Sequence, residues 1–113
     1  MHLDFTAEGD RLTVFLRGEL DHHAASDIRQ QVDTAVLSHR CRQLTLDFSG
    51  LSFMDSSGIG LIMGRYRLIR SLGGELTVSG ASPRLQTVMR LAGLDRLPIR
   101  NIQERNEPNE TYQ

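Results

Sequence analysis

Two kinds of apolar repeat alternate along this chain, and their order limits the folds it can adopt. Short segments with an apolar residue at every second position are typical of strands, and longer segments with a repeat of about 3.6 residues are typical of helices. Here they follow one another as β-β-α-β-α-β-α-β. Strand–helix–strand units favour parallel pairing, whereas the first two strands, joined by Glu8-Gly9-Asp10, favour an antiparallel hairpin. We therefore expect one α/β domain with a mixed, mostly parallel sheet and a helical cover.

Residues that favour helix ends mark the element boundaries. Asp21 is a good N-cap for the first helix, and Ser82 followed by Pro83 is a typical start for the last one. The predicted strands cover residues 3–5, 12–16, 42–48, 76–78 and 97–99, and the predicted helices cover residues 22–38, 56–72 and 83–92. We expect a loop at residues 18–21 and an apolar turn before residue 56. Residues 1–100 should form the domain, and the polar residues 101–113 should form a frayed tail.

The composition excludes several classes of function. The chain has 113 residues, a formal charge of −1 and 13 basic residues, all of them arginine. The near-neutral charge shows no bias towards nucleic acid, and the lack of lysine excludes Schiff-base chemistry and a Walker-type phosphate loop. The single cysteine, Cys41, excludes an internal disulfide bond and a cysteine-only metal site. Since there is no signal peptide and no apolar run long enough to cross a membrane, we expect a cytoplasmic protein.

The most distinctive stretch, residues 51–60 with the sequence LSFMDSSGIG, leads into the central helix. Asp55, Ser56 and Ser57 can each accept a hydrogen bond from the unpaired N–H groups of that helix. A serine there is well placed for phosphorylation, because the helix dipole tolerates an added charge of about −1.5 to −2. A docked partner would have to desolvate that charge, which Asp55 also repels, so modification would abolish an interface and leave the fold intact. The residues alone do not decide between Ser56 and Ser57.

Three glycines, Gly58, Gly60 and Gly64, each weaken the central helix by roughly 1 kcal/mol relative to alanine. They indicate either close packing of the helix on its own sheet or the close approach of a partner's backbone. The apolar residues expected to form the buried stripe of this helix are Ile59, Ile62, Met63, Tyr66, Ile69 and Leu72. Leu61 and Leu68 fall outside that stripe, which favours the approach of a partner.

Catalytic and metal sites find little support in the sequence. His22 and His23 are adjacent on a predicted helix and point about 100° apart, so they do not converge on one metal ion. The serine hydrolase elbow Gly-x-Ser-x-Gly is absent. Gly58 and Gly60 follow a strand as in a dinucleotide-binding loop, but the third glycine is out of place. We therefore expect no catalytic residue, no metal ion and no cofactor.

Two blocks of sequence resemble one protein family closely. They are residues 18–24 (GELDHHA) and residues 51–60 (LSFMDSSGIG), the second followed by Gly64-Arg65-Tyr66. From about residue 3 to residue 99, the chain is similar to the STAS-domain anti-sigma factor antagonists of spore-forming bacteria. Members of that family usually end in a longer and more apolar helix than residues 101–113 offer.

The resemblance implies a binding protein controlled by phosphorylation. The unphosphorylated form would bind an anti-sigma factor that is also a serine kinase, and so release the sporulation sigma factor. That kinase would use ATP to phosphorylate Ser56, the serine directly after the aspartate, and a metal-dependent serine phosphatase would reverse the reaction. The expected partner-binding residues are Asp21, Asp55, Ser57, Gly58, Ile59, Gly60, Leu61 and Gly64.

Two other functions stay open at this point. The N-terminus of the central helix is also suited to binding a nucleotide or another anion, and the domain could instead be a scaffold for another bacterial regulatory kinase. No arginine lies between Arg42 and Arg65. A kinase acting on Ser56 should therefore recognise a folded surface and not a linear basic motif.

Overall fold

Strands and helices alternate in the predicted order through residues 1–102, the part of the chain that the computed structural model describes. The strands are β1 (His2–Glu8), β2 (Arg11–Leu20), β3 (Gln43–Met54), β4 (Glu75–Ser79) and β5 (Arg100–Ile102). The helices are α1 (His22–Ser38), α2 (Ser56–Ser71) and α3 (Pro83–Leu91), with a short 3-10 turn at Leu94–Arg96. The predicted fold class is confirmed.

The strands form one sheet in the order β1-β2-β3-β4-β5, and one face of it carries the core. β1 runs antiparallel to β2, and all other neighbours are parallel. On β2, Leu12, Val14 and Leu16 are buried, whereas Thr13 and Phe15 between them are only half-buried. The same alternation continues on β3 and β4, where the buried residues are Leu44, Leu46, Phe48, Leu76 and Val78. α1 and α2 pack beside each other on the core and begin at the same edge of the sheet.

The helices begin at residues predicted to cap them. Asp21 caps α1, Asp55 caps α2 and Ser82 caps α3, each with a side-chain oxygen that accepts a hydrogen bond from a backbone N–H. Of the three candidate caps for α2, Asp55 is the one used. Ser56 and Ser57 are therefore the first two residues of the helix.

The two strands that lead into α1 and α2 are longer than the sequence predicts. Residues 18–20 belong to β2 and residues 49–54 belong to β3, so the predicted loop and apolar turn are wrong. β2 and β3 stay paired up to Leu20 and Met54, through register irregularities between Phe15 and Arg17 and directly after Gly18. These irregularities interrupt the two-residue repeat from which strands are predicted.

The last strand lies at Arg100–Ile102, and its predicted position at residues 97–99 is wrong. Pro98 has no N–H to donate to a neighbouring strand, and pairing with β4 begins only at Arg100, opposite Thr77. β5 thus continues two residues past the predicted end of the domain at residue 100. The predicted frayed tail, from residue 103 onward, and the question of a final helix lie outside the described residues.

The buried face of α2 also differs from the predicted stripe. Leu61 and Arg65 are each 5% exposed, whereas Ile59, Met63 and Tyr66 are only half-buried. The reason is α1, which packs alongside α2 and covers this side of the helix. Leu61 is therefore a core residue, and the prediction that it lies off the buried stripe is wrong.

Candidate functional site

The two distinctive blocks of the sequence meet at one edge of the sheet. β2 and β3 are parallel neighbours, and their last residues, Leu20 and Met54, are paired. The N–H of Asp55 donates a hydrogen bond to the carbonyl oxygen of Leu20 at 3.2 Å, which ties the two strand ends together. Asp21 and Asp55 follow directly, so the N-termini of α1 and α2 lie side by side. In open α/β sheets, ligands and partners are commonly bound at such carboxyl ends of parallel strands.

The two aspartates are held in nearly the same way. Asp21 Oδ1 accepts a hydrogen bond from the N–H of Ala24 at 2.9 Å, and Asp55 Oδ1 accepts one from the N–H of Ser57 at 2.8 Å. The hydrogen bond from Ala24 lowers the pKa of the Asp21 carboxyl below its ordinary value, and the charge of His23 acts in the same direction. Both carboxylates are thus fixed in place beside the first turn of a helix.

The two candidate serines differ in exposure. Ser56 is exposed and is the first residue of α2, whereas Ser57 is half-buried and its N–H is engaged by Asp55. The positive end of the helix dipole lies at both hydroxyl groups. Ser56 is therefore more accessible to a modifying enzyme than Ser57.

The three glycines of α2 have different surroundings. Gly58 is buried, and a Cβ there would overlap the side chain of Met54 and lie 3.2 Å from Leu20 Cδ2. Gly60 and Gly64 would place a Cβ in open space, with no described atom within 4 Å. Packing on the protein's own sheet accounts for Gly58, while internal packing does not account for Gly60 or Gly64.

Ile59 and Leu61, the two large apolar residues predicted to bind a partner, differ in exposure. Ile59 is half-buried and presents part of its side chain at the surface. Leu61, at 5% exposure, packs in the core and reaches the surface only in the wall of a cleft between α1 and α2. Leu61 therefore offers a partner little surface of its own, and its role in partner binding stays a prediction.

Phe53 is a surface residue that the sequence analysis missed. Its side chain is 47% exposed and lies two residues before the Asp55 cap. The signal was present in the strand alternation, since Met54 points into the core and its neighbour on β3 must point the other way. An exposed phenylalanine beside the paired helix ends enlarges the surface on which a partner can dock.

Two arginines line the same cleft as Ser57. The cleft between α1 and α2 is lined by Arg29 and Arg65 together with Ser57 and Gly60. Along the chain, no basic residue flanks Ser56 between Arg42 and Arg65. Folding brings Arg29, from the other helix, to the same cleft as Ser57.

The histidines of the first block do not form a metal site with their neighbours. The rings of His22 and His23 are 5.6 Å apart between centroids, in an edge-to-face arrangement. Within residues 1–102, no three histidine, cysteine or acidic side chains are grouped to hold a metal ion. In the same range, no helix has the length and apolar character that crossing a membrane requires.

Comparison with known proteins assigns the fold and the family. The STAS-domain family model matches residues 2–107. The anti-sigma F factor antagonist of Paenibacillus polymyxa is 42% identical over 96 residues, which cover 83% of this chain and 82% of that protein. The anti-sigma F factor antagonist of Lysinibacillus sphaericus is 40% identical over 86 residues, 74% of each chain.

Solved structures of one antagonist are similar in both of its states. The anti-sigma factor antagonist SpoIIAA in its unphosphorylated form aligns with a TM-score of 0.77 at 32% identity, covering 88% of this chain and 87% of that one. The Bacillus cell fate determinant SpoIIAA in its phosphorylated form aligns with a TM-score of 0.71 at 32% identity, covering 88% and 90%. Sequence, fold and site together show that this chain belongs to the STAS-domain family of anti-sigma factor antagonists.

Proposed function

We propose that this protein releases a sporulation sigma factor by binding the anti-sigma factor that holds it, and that phosphorylation of Ser56 switches this binding off. Proteins of this family regulate by binding and are not enzymes. One observation carries the proposal: an exposed serine lies directly beside two adjacent, aspartate-capped helix ends. A similar protein has been solved in phosphorylated and unphosphorylated forms, which supports the same control here.

The site has the electrostatics that such a switch requires. A phosphoryl group on Ser56 adds about −1.5 to −2 charges at the N-terminus of α2, where the helix dipole stabilises negative charge. The fold should therefore survive the modification. Asp55 is the adjacent residue and Asp21 caps the neighbouring helix, so the modified surface gathers three negative groups. A partner that docks there must desolvate them or bring compensating charge, and the interface is lost.

The proposed docking face combines both helix ends with one side of α2. Asp21, Asp55 and Ser57 supply polar groups, and Ile59 supplies a half-buried apolar one. Gly60 and Gly64 leave open space in which the backbone of a partner can approach the helix. Gly58 and Leu61 are buried and act on the docking face indirectly, because their packing sets the position of α2 on the sheet and against α1.

Two enzymes act on this face in the proposed cycle. The anti-sigma factor is itself the serine kinase and uses ATP to modify Ser56, and a metal-dependent serine phosphatase restores the binding form. Both should recognise the folded surface, since Asp21 and Ser56 come together only through the pairing of β2 with β3. The protein needs no cofactor for this role, which it performs in the cytoplasm.

The proposal is tested by titrating the cognate anti-sigma factor with this protein before and after full phosphorylation, using calorimetry. We expect binding by the unphosphorylated form and an affinity lower by about 100-fold or more after modification, since a buried unpaired charge is strongly unfavourable. Ser56→Ala should bind and resist the switch.

Ser71→Ala is the matched control, because Ser71 is an exposed serine at the other end of α2. It should behave as wild type before and after treatment with the kinase. Equal affinity of the two phosphorylation states of the wild type would refute the proposal.

A further inference from the structure

Strand β1 forms one edge of the sheet, and its outer side is open. Within residues 1–102, β2 is the single neighbouring strand of β1. All residues of β1 except Leu3 are exposed. The strand contains no proline or lysine, and it pairs with β2 over its whole length without a register shift. Proteins commonly use such features to block an exposed edge, so β1 is open to pairing with another strand.

The opposite edge of the sheet offers much less. β5 covers only Arg100–Ile102 and follows Pro98 closely, and a short strand and a nearby proline both limit pairing at an edge. The two edges therefore differ, and β1 is the one on which a further strand can be added over seven residues.

The hairpin geometry identifies which backbone groups of β1 are free. A two-residue loop joins β1 to β2, and the pair that closes it is Glu8 and Arg11. The closing pair of such a loop exchanges both of its hydrogen bonds, and along an antiparallel ladder every second pair does the same. The residues between these pairs therefore direct their N–H and C=O groups away from β2. They are Leu3, Phe5 and Ala7.

The side chain of Phe5 adds an apolar group to this open edge. Phe5 is 37% exposed, although Val14, its partner on β2, is fully buried. Directly paired residues lie on the same face of a sheet, so Phe5 extends the core face past its last covered strand. Leu3 and Ala7 lie on that face as well, because side chains alternate along a strand.

We propose that two copies of this protein associate through β1, with the strands antiparallel about a two-fold axis at Phe5, so that their sheets join into one. Phe5 then lies opposite Phe5 of the other copy, and Leu3 lies opposite Ala7. Each of these pairs can exchange both of its free hydrogen bonds, and the two aromatic rings pack together on the core face. The same surface serves both copies, as a two-fold interface requires.

The charges on the other face of β1 favour this register. With the axis at Phe5, Asp4 lies opposite Thr6 of the other copy, and His2 lies opposite Glu8. An axis one residue earlier would set Asp4 against Asp4, and an axis one residue later would set Asp4 against Glu8. Like charges directly opposite each other destabilise a strand pair, so both alternatives are disfavoured.

The association goes beyond the proposed function and leaves its site open. Asp21 and Ser56 follow the ends of β2 and β3, and β1 pairs through its other side. A two-fold axis perpendicular to the sheet reverses the strands of the second copy, so the two docking faces lie at opposite ends of the joined sheet. Each copy can therefore still bind an anti-sigma factor.

The test combines sedimentation equilibrium with NMR hydrogen exchange at low and high protein concentration. We expect a monomer–dimer equilibrium that shifts towards the dimer as the concentration rises. Protection of the amides of Leu3, Phe5 and Ala7 should rise several-fold with it. The amides of Asp4 and Thr6 face β2 and should keep the protection they already have.

Phe5→Lys is the variant that attacks the two-fold axis. It removes the aromatic contact and sets two like charges opposite each other, so association should weaken about tenfold or more. Leu91→Lys is the matched control, because Leu91 is an exposed leucine at the end of α3 and the charge changes by the same amount. It should associate as the wild type does.

Thr6→Asp tests the register and replaces Phe5→Lys if that variant fails to fold. An aspartate at this exposed position would lie opposite Asp4 of the other copy, so association should weaken several-fold. Thr6→Asn has nearly the same shape without the charge and should have a much smaller effect.

A protein that stays monomeric at millimolar concentration, or a dimer that Phe5→Lys and Thr6→Asp leave intact, would overturn the proposal. So would concentration-dependent protection that is absent from Leu3, Phe5 and Ala7. These measurements do not involve the anti-sigma factor, so the β1 dimer and the Ser56 switch can each fail without the other.

Discussion

The first turns of α1 and α2 have the same construction and different residues. α1 follows the end of β2 and α2 follows the end of its neighbour β3. Each helix is capped by an aspartate side chain that accepts a hydrogen bond from a backbone N–H. After the cap, α1 continues with His22-His23-Ala24 and α2 with Ser56-Ser57-Gly58. Because both helices begin in the same way, we infer that the two aspartate caps hold the first turns of α1 and α2 in place. Of the two first turns, that of α2 carries the serine hydroxyls and a glycine, Gly58, whose packing leaves no room for a Cβ.

If the kinase recognises the N-termini of α1 and α2 together, a peptide that contains only one of them should be a much poorer substrate. A peptide of residues 51–61 contains Ser56 but lacks α1 and the strand pairing that places Asp21 beside it. We expect the anti-sigma kinase to phosphorylate it about 100-fold or more slowly than the intact domain, because catalysis is sensitive to small misplacements of the reacting group. Initial rates with radiolabelled ATP measure this. Equal rates for peptide and domain would show that the kinase reads a linear sequence.

The third residue of each helix differs between α1 and α2. Ala24 of α1 carries a Cβ without being buried, whereas a Cβ on Gly58 would overlap Met54. Gly58→Ala should destabilise the protein by about 1–3 kcal/mol, since overpacking outweighs the gain in helix propensity.

Gly60→Ala and Gly64→Ala are the controls for Gly58→Ala. Both positions have open space, so each substitution should stabilise the protein by up to about 1 kcal/mol. Urea unfolding followed by circular dichroism measures all three variants. A Gly58→Ala protein as stable as Gly60→Ala would contradict the assigned role of Gly58.

If the two caps are equivalent, removing either should have a similar effect. Asp21→Ala and Asp55→Ala should each lower the free energy of unfolding by about 1 kcal/mol, and the asparagine variants should lose much less. Urea unfolding at neutral pH gives these values. A large inequality between the two alanine variants would show that one aspartate supports the fold in a way that the other does not.

A smaller effect concerns pH and involves Asp21. Its pKa in the folded protein lies below the ordinary 3.8, so the charged carboxylate favours the folded state. This contribution is fully present well above the ordinary pKa and is lost as the pH falls through the folded pKa. Asp21→Asn should therefore flatten the fall in stability on acidification below about pH 5. Unfolding midpoints in urea across the acid range test this, and an unchanged acid slope would contradict it.

The parts of this site that follow from short-range patterns were predictable. A cap depends on a residue and the helix that begins within three positions of it, so Asp21, Asp55 and Ser82 were identified as caps or candidate caps from the sequence. The order of strands and helices followed in the same way from local repeats. These features need no knowledge of what packs against them.

The features that depend on a neighbour in space were not predictable. Leu61 is buried because α1 covers that side of α2, and Arg29 shares a cleft with Ser57 for the same reason. The last residues of β3 are a strand because β2 pairs with them through irregular registers. Each of these errors arises where a second element, distant in the chain, decides the outcome.

The identity of the modified residue is the central claim, and intact-mass spectrometry tests it most directly. The wild-type protein, Ser56→Ala and Ser57→Ala are each incubated with ATP and the cognate anti-sigma kinase. The exposure of Ser56 and the partial burial of Ser57 predict one added phosphate on the wild type and on Ser57→Ala, and none on Ser56→Ala. Loss of the phosphate in Ser57→Ala instead, or an unmodified wild type, would contradict the account.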